Sequence, residues 1–523
     1  MPRIEILDTT LRDGAQGEGV VFSREDKLKV IRALDALGVD YIEAGNPLSN
    51  PKDREFLIFA AQHLKLERAQ LVAFGSTCRV GAVASEDAGL VALAESGAKV
   101  CSVFGKSSVR HVEYVLQTDL QENLRMIRDS VRYLVEKGLR VFFDAEHFFD
   151  AYMEDADYSM VVLQAAKDAG AELLALCDTN GGTLPTDIER ITRIVKDQFN
   201  MPIAIHCHND AGLATAGSLS GILGGAGQVQ GTINGYGERC GNADLCQVIP
   251  GIMLKLSMDC LADDGLSRLM RCARYIADVA NLQMDERRPY VGRSAFAHKG
   301  GMHIDGMLKD ERAFEHIDPK LVGNKRRYLM SEMAGRGALM TKLRLIAPEL
   351  QKDDAEVTKI MEMLKNLEQQ GYAFEGADGS LLLRVLGVLG KRPHFFEVMD
   401  FHIVSRMGSA RENAQAYVKV RVDDQVEISA DEGDGPINAL DLALRKALLR
   451  FYPCLGRMRL VDFKVRVVDT NGTASSVRVH IESSDGSNKW ATVGVSSNII
   501  EAGFTALSDS IEYMLMKEVD GWG

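Results

Sequence analysis

Ile4-Glu5-Ile6-Leu7-Asp8-Thr9-Thr10-Leu11-Arg12-Asp13-Gly14-Ala15-Gln16 runs a short apolar strand straight into a cation, a carboxylate and an amide. A strand ending in such a cluster reads as one unit of an α/β fold whose chemistry collects at the carboxyl ends of parallel strands. Further β-branched or apolar runs begin near Tyr41, Leu71, Val100, Val141, Leu173, Ile203 and Val229. Successive starts differ by 37, 30, 29, 41, 32, 30 and 26 residues, about one βα unit each time. Residues 24–37, 120–136, 158–168 and 184–199, lying between them, carry helical periodicity. Leu173-Leu174-Ala175-Leu176-Cys177 is apolar throughout, as a parallel strand covered on both faces must be. Eight such units predict a closed (β/α)8 TIM barrel rather than an open doubly wound sheet.

The chain has 523 residues, more than one ordinary core holds, so further domains are expected. Hydrophobic residues make up 46% and charged residues 26%, the profile of a soluble globular protein. A net charge of -13 argues against a nucleic-acid or anionic-membrane surface. The nine cysteines show no CxxC pair, which predicts reduced thiols and a cytoplasmic location. Met1-Pro2-Arg3 leads into the first strand without a signal-peptide core, and no apolar run is long enough to span a bilayer.

The barrel rhythm stops near residue 278, so 1–278 is read as the catalytic barrel. Residues 279–385 read as helical linker and flap subdomains. They carry Phe296-Ala297-His298-Lys299-Gly300-Gly301-Met302-His303-Ile304-Asp305-Gly306, whose glycines predict a mobile segment rather than a helix interior. Residues 386–523 read as an α+β domain built from a duplicated βββα unit. Its strands are expected at 396–404, 416–422, 425–429, 460–468, 475–482 and 490–495. Its helices are expected at 437–450 and 499–516, with a turn at 431–436. No cluster of metal-ligating type lies in it, so pairing or ligand sensing is its expected role.

Polar residues stand at six expected strand ends, where a barrel places its active site. They are Asp13; Glu43; Glu146 and His147; Asp178, Thr179 and Asn180; His206 and His208; and Asn234 with residues 238–242. Taken singly, each is equally a capping or turn residue, and Asn180-Gly181-Gly182 is also a turn signal. His206-x-His208 puts two imidazoles on one face of a strand, about 6.6 Å apart along the chain. With Asp13 as an oxygen donor and Asn242 as an amide carbonyl, the set suits a divalent ion acting as a Lewis acid, Zn²⁺, Mn²⁺ or Mg²⁺. Cys207 lies between the two and points away from the ion, into packing. Arg12 is open between a bidentate hold on a substrate carboxylate and an ion pair with Glu43. Thr179 is open between the same carboxylate and a helix cap. Glu146 is open between orienting a base, binding substrate and protonating an oxyanion.

Residues 7–16, 206–210 and 237–243 resemble the signatures of the 2-isopropylmalate, homocitrate and citramalate synthase family. The resemblance runs through 296–306 and the duplicated C-terminal unit, covering essentially the whole chain. Residues 14–19, 141–150 and 315–319 resemble the long-chain (R)-citramalate synthase branch. The resemblance implies a metal-dependent Claisen condensation of acetyl-CoA with pyruvate, releasing (R)-citramalate and CoA on a route into isoleucine synthesis. The enzyme would then be an acyltransferase that converts the acyl group to alkyl on transfer.

By resemblance Asp13, His206 and His208 are metal ligands, joined by Asn242. Arg12 and Thr179 hold the keto-acid carboxylate, Glu146 is the active-site glutamate, and His303 is the histidine brought by the segment after the barrel. His303 and Glu146 are the base and its partner, Asp305 the orienter, with His298 a weaker candidate. Isoleucine is the expected feedback ligand of the C-terminal domain, and a homodimer the expected assembly. Phe314 stands where many relatives carry a tyrosine, and a phenyl ring donates no hydrogen bond. The alternatives are a 2-isopropylmalate or homocitrate synthase, a hydroxy-acid lyase on the same barrel, and a non-catalytic regulatory protein. Side chains at Phe74, Phe104 and Asp144 would set the choice of keto acid.

Overall fold

The structure, a computed structural model, describes residues 3–49, 51–262, 264–299, 301–328, 339, 340, 343, 346–405, 414–468, 475–486 and 488–519. The chain forms two compact units. One comprises Met1–Phe296 with His316–Arg326, the other Ala297–Glu315 with Arg327–Gly523.

In the first unit eight parallel strands close into a barrel: β1 (Glu5–Asp8), β2 (Tyr41–Gly45), β3 (Gln70–Ser76), β4 (Val100–Lys106), β5 (Arg140–Glu146), β6 (Leu173–Asp178), β7 (Ile203–Cys207) and β8 (Gln228–Gly231). The TIM barrel expected from the spacing is therefore present. β8 returns to β1 in parallel register, with Glu5 opposite Gln228 and Asp8 opposite Gly231. Helices follow the strands. The one at Arg24–Leu37 starts from a reciprocal capping box between Ser23 and Asp26 and ends at Gly38, whose φ of 99° is open to glycine at little steric cost.

Side chains alternate across each strand with period two. Ile6, Ile42, Ala73, Cys101, Phe143, Leu174 and Ile205 join the large core shared with the helices. Their neighbours Leu7, Tyr41, Val72, Val100, Phe142, Leu173, Ala175 and Ala204 form a separate buried cluster filling the barrel lumen. Tyr41 and Phe142 meet there edge to face, with ring centroids 5.2 Å apart. Two residues further along the same lumen-facing rows stand Glu43, Phe74, Asp144, His206 and Gln230. The lower lumen is an apolar plug, and the layer above it is charged.

In the second unit the residues around His303 depart from expectation. Gly301–Lys309 is a helix, not an irregular segment, and Gly300 lies outside the described residues. Ile304 and Met307, three apart, are both buried and give the helix an apolar stripe. Gly306 is required by packing, because a Cβ there would meet the Phe314 ring at 2.5 Å. Helices Ala355–Gln369 and Asp378–Val388 then share a core with Phe374 and Val493.

The βββα unit occurs twice. Strands Glu397–Ser405, Ala414–Val422 and Gln425–Gly433 carry helix Pro436–Leu449; strands Arg459–Val467, Val477–Ser484 and Lys489–Ser496 carry helix Ile499–Val519. The first strand of each repeat is irregular at the matching place, between Val398 and Asp400 and between Leu460 and Asp462. A bulge repeated at the same register marks a duplicated unit. Strand Gln425–Gly433 continues through residues expected to turn, because its ladder persists until Gly433 faces Ala414. Among the described residues no helix is long and apolar enough to cross a membrane.

The lumen plug should carry much of the barrel's stability. Phe142 is 1% exposed, so Phe142→Ala is expected to cost about 3–5 kcal/mol. A chemical-denaturation midpoint for the barrel that does not move would show that the plug contributes little.

Candidate metal centre

The turn after β1 is built on a buried carboxylate. Asp8 accepts the Thr10 N–H at 3.0 Å and its hydroxyl at 2.9 Å, and the Thr10 hydroxyl oxygen accepts the Ile233 N–H at 2.9 Å. Burial pushes the Asp8 carboxyl up to about 7. This turn fixes Arg12 and Asp13 at the barrel mouth. Arg12 donates Nε–H to Glu43 at 2.5 Å, lies 3.7 Å above the Phe74 ring centre, and holds Nη1 3.5 Å from Asp13. Of the two readings left open for Arg12, the Glu43 ion pair is therefore present. Burial raises Glu43 to about 7 even against the neighbouring guanidinium.

Three ligand atoms converge beside it. His206 Nε2 lies 3.3 Å from Asp13 Oδ2 and 3.3 Å from His208 Nε2. All three side chains are buried, and their ligand atoms lie within 4.8 Å of one another. Donors about 2.0–2.2 Å from a shared ion stand roughly 3–3.5 Å apart, so the spacing fits one divalent ion. Burial alone would raise Asp13, but Arg12, His206 and His208 outweigh it and hold the carboxyl well below its usual range. Burial and the adjacent His206 press His208 down to about 4, which keeps its imidazole neutral, as a ligand must be. For His206 burial pulls downward but Asp13 wins, so its basicity is raised. Cys207, between them, is buried, and its sulfur faces Gly217 in the packing behind the strand, as expected.

The loop after β8 completes the mouth. His208 and Asn242 form an isolated β-bridge, and Asn242 donates to the Tyr236 carbonyl at 3.1 Å. Its Oδ1 is buried without a hydrogen-bond partner among the described residues. An orphaned buried carbonyl beside the triad is consistent with a fourth donor. Gly237, at φ 154°, is needed here, since a Cβ would collide with the Asn242 amide. Arg239 ties the loop down, with Nε and Nη2 on Asp210 at 2.8 and 3.0 Å and Nη2 on the Thr179 carbonyl at 2.7 Å.

Glu146 ends β5 and forms an ion pair with Lys106, the last residue of β4. The hydroxyl of Thr179 accepts the His147 N–H at 2.8 Å. It thereby supports His147 in a left-handed conformation at φ 57° and caps no helix start of its own. Asn180 donates to Asp150 at 2.8 Å, and Asn234 to the Ala273 carbonyl at 2.9 Å, so both hold loops.

His303 and Asp305 belong to the second unit. The exposed His303 ring stacks on Phe314 with centroids 4.2 Å apart, and the side chain of Asp305 lies outside the described ones. His298 pairs with Glu315 at 2.9 Å, a structural contact within that unit. Phe314 thus has a packing role that a phenyl ring fills without a donor.

Three residues of this site escaped the sequence reading: Lys106, Gln230, and Phe74 as the platform under Arg12. Each follows a lumen residue by two along its strand, a signal available only once the lumen parity is fixed.

Residues 3–274 match the family described as HMGL-like, 290–372 that of the homocitrate synthase post-HMGL domain, and 375–515 the LeuA allosteric (dimerisation) domain. An (R)-citramalate synthase of Aquifex aeolicus is 46% identical, covering 99% of this chain and 98% of the relative. That of Geobacter sulfurreducens is 44% identical over 100% and 99%, respectively. A 2-isopropylmalate synthase of Methanocaldococcus jannaschii is 30% identical over 98% and 95%. Identity of that order along the whole length shows the family, and the chain belongs with the (R)-citramalate synthases among the 2-isopropylmalate, homocitrate and citramalate synthases.

Proposed function

We propose that this enzyme condenses acetyl-CoA with pyruvate to give (R)-citramalate and CoA, using a divalent ion at Asp13, His206 and His208. The observation that carries the reading is the buried triad beside Arg12, in a chain similar along its length to (R)-citramalate synthases. When bound, the ion supplies Lewis acidity toward the oxygens of the keto acid. Asp13, His206 and His208 hold it, with the Asn242 carbonyl as a fourth donor.

Arg12 binds the keto-acid carboxylate, its own plane fixed by Glu43 beside it and the Phe74 ring beneath it. Phe74 and Phe104 stack at 5.4 Å and leave an aromatic wall suited to a methyl group. The Thr179 hydroxyl, its oxygen already accepting from His147, retains its proton for the substrate. His303 removes a methyl proton from acetyl-CoA, with Asp305 orienting it. The resulting carbanion carbon bonds to the keto carbon, and the new alkoxide oxygen takes a proton. Glu146, charge-compensated by Lys106, orients the acid–base exchange. Water then cleaves the thioester to release CoA. Isoleucine, acting at residues 386–523, is the feedback ligand, and a dimer formed through that domain is the assembly.

The deciding assay is CoA release with pyruvate, 2-oxobutanoate, 3-methyl-2-oxobutanoate and 2-oxoglutarate, each with and without isoleucine. Pyruvate should give the highest kcat/KM and isoleucine should depress it; preference for a branched or dicarboxylic keto acid would reassign the enzyme. His206→Ala should abolish turnover together with metal binding, and a metal-depleted His206→Ala protein at full activity would remove the metal from the reading.

Arg12→Lys should sharply lower kcat/KM for pyruvate, because an ammonium reproduces neither the fork nor the stack on Phe74. An unchanged value would leave Arg12 with only its Glu43 partner. His303→Ala should keep metal and pyruvate affinity and lose about 10²–10⁴-fold in kcat, the usual worth of a general base. A normal kcat would exclude His303 as an essential base.

A further inference from the structure

The triad is held from behind by two residues that stand outside the ligand set, Gln230 and Asp144. Gln230 is the lumen-facing residue of β8 directly beside His206 in the β7–β8 ladder. Its Oε1 lies 3.0 Å from His206 Nδ1, and its Nε2 donates to Asp144 Oδ1 at 3.4 Å. Gln230 is 2% and Asp144 5% exposed, so water does not compete for either contact. Asp144 comes from β5, across the lumen, which makes this a bridge between strands and not a local turn bond.

The polarity of the bridge follows from what each group is able to do. Asp144 Oδ1 is the acceptor in this contact, so it selects the amide orientation that presents Nε2 to it. The opposite orientation would set Oε1 against a carboxylate oxygen. With Nε2 committed to Asp144, Oε1 faces His206 and accepts from Nδ1–H. That places a proton on Nδ1 and makes Nε2, which faces Asp13 and His208, the nitrogen that serves the ion. His208 differs, because its Nδ1 is buried without a hydrogen-bond partner among the described residues. Among the described residues, only one of the two imidazoles therefore has its second nitrogen held by a protein partner.

We propose that Gln230, oriented by Asp144, is the positioning residue of the metal centre, holding the ring plane of His206 and engaging its Nδ1 so that Nε2 is the nitrogen offered to the ion. This rests on the reading of Asp13, His206 and His208 as metal ligands. Partners of this kind are typically worth 10–100-fold in metal affinity when removed. Asp144 has a second consequence. It lies beside Phe104 in the β4–β5 ladder, so the substrate wall and the metal ligand share one support. A change at Asp144 made to alter keto-acid choice would then also loosen the ion.

The test is binding of Co²⁺ to the metal-free full chain, followed by calorimetry and by the visible absorption of the bound ion, with folding checked by circular dichroism and thermal melting. The wild-type chain is measured first against His206→Ala. If the wild type binds no Co²⁺ at the triad, the ligand assignment itself falls, which is a different failure from the one sought here. Given wild-type binding, Gln230→Leu should bind 10–100-fold more weakly, with a shifted absorption band. The Gln230→Glu/Asp144→Asn double variant exchanges acceptor and donor while keeping the bridge. It should return affinity and spectrum toward wild type, whereas Gln230→Glu alone, with two carboxylates face to face, should not. A folded Gln230→Leu protein with wild-type affinity and spectrum overturns the proposal. If Gln230→Leu does not fold, the double variant decides: recovered affinity supports the bridge, and affinity still tenfold or more below wild type overturns it.

Discussion

The parallel pairing of β8 with β1 is the constraint on which the rest of this active site depends. It joins residues more than 220 positions apart, Asp8 opposite Gly231, and puts Asp13 and Asn242 at one mouth. The turn beyond β1 is sewn to the turn beyond β8 by the Thr9 N–H on the Gly231 carbonyl and by the Ile233 N–H on the Thr10 hydroxyl. Without closure, Asp13 would sit on an edge strand, and the carboxylate would have no imidazoles to meet.

Closure also explains why so many charged groups tolerate burial. Glu43, Asp144 and His206 lie in one layer above an apolar plug, with Asp13 beside them, and each has a polar partner. Water excluded from the lower lumen makes each of these contacts stronger than it would be in solvent, and each unpaired group more costly. Arg12 is the cation that balances Glu43 and Asp13 together, which makes it part of the architecture as well as a group able to hold an anionic substrate. The cluster is preorganised: an entering ion and keto acid meet groups already oriented by their neighbours.

The second unit shows the same economy by duplication. Two βββα repeats carry the same irregularity in their first strands, yet their surroundings differ. Val493 of the second repeat is buried with Phe374 and Leu381 from the preceding helical segment. On the first repeat Val426 and Ile428, in the edge strand Gln425–Gly433, stay 48% and 56% exposed. The same βββα unit thus occurs in two environments, in a segment that matches the allosteric and dimerising domain.

Strand spacing, the apolar runs and the polar strand ends were local features, so the barrel, the duplicated domain and the convergence of Asp13, His206 and His208 were legible in the sequence. Period-two alternation was legible too, and it placed Cys207 behind the site. What it lacked was the identity of the facing residue. Nothing in the chain says that Lys106 meets Glu146, that Phe74 lies under Arg12, or that Gln230 spans His206 and Asp144, because each contact joins elements far apart in the chain, between neighbouring strands or across the lumen. The helix at Gly301–Lys309 was missed for a related reason. Its glycines lower helix propensity locally, whereas burial of Ile304 and Met307 and the fit of Gly306 against Phe314 repay that cost only in the folded unit. The sequence by itself determined the element order and the residue types able to bind a metal. Only the tertiary structure decided which partners buried them together, since burial and charge compensation are properties of neighbours far apart in the chain.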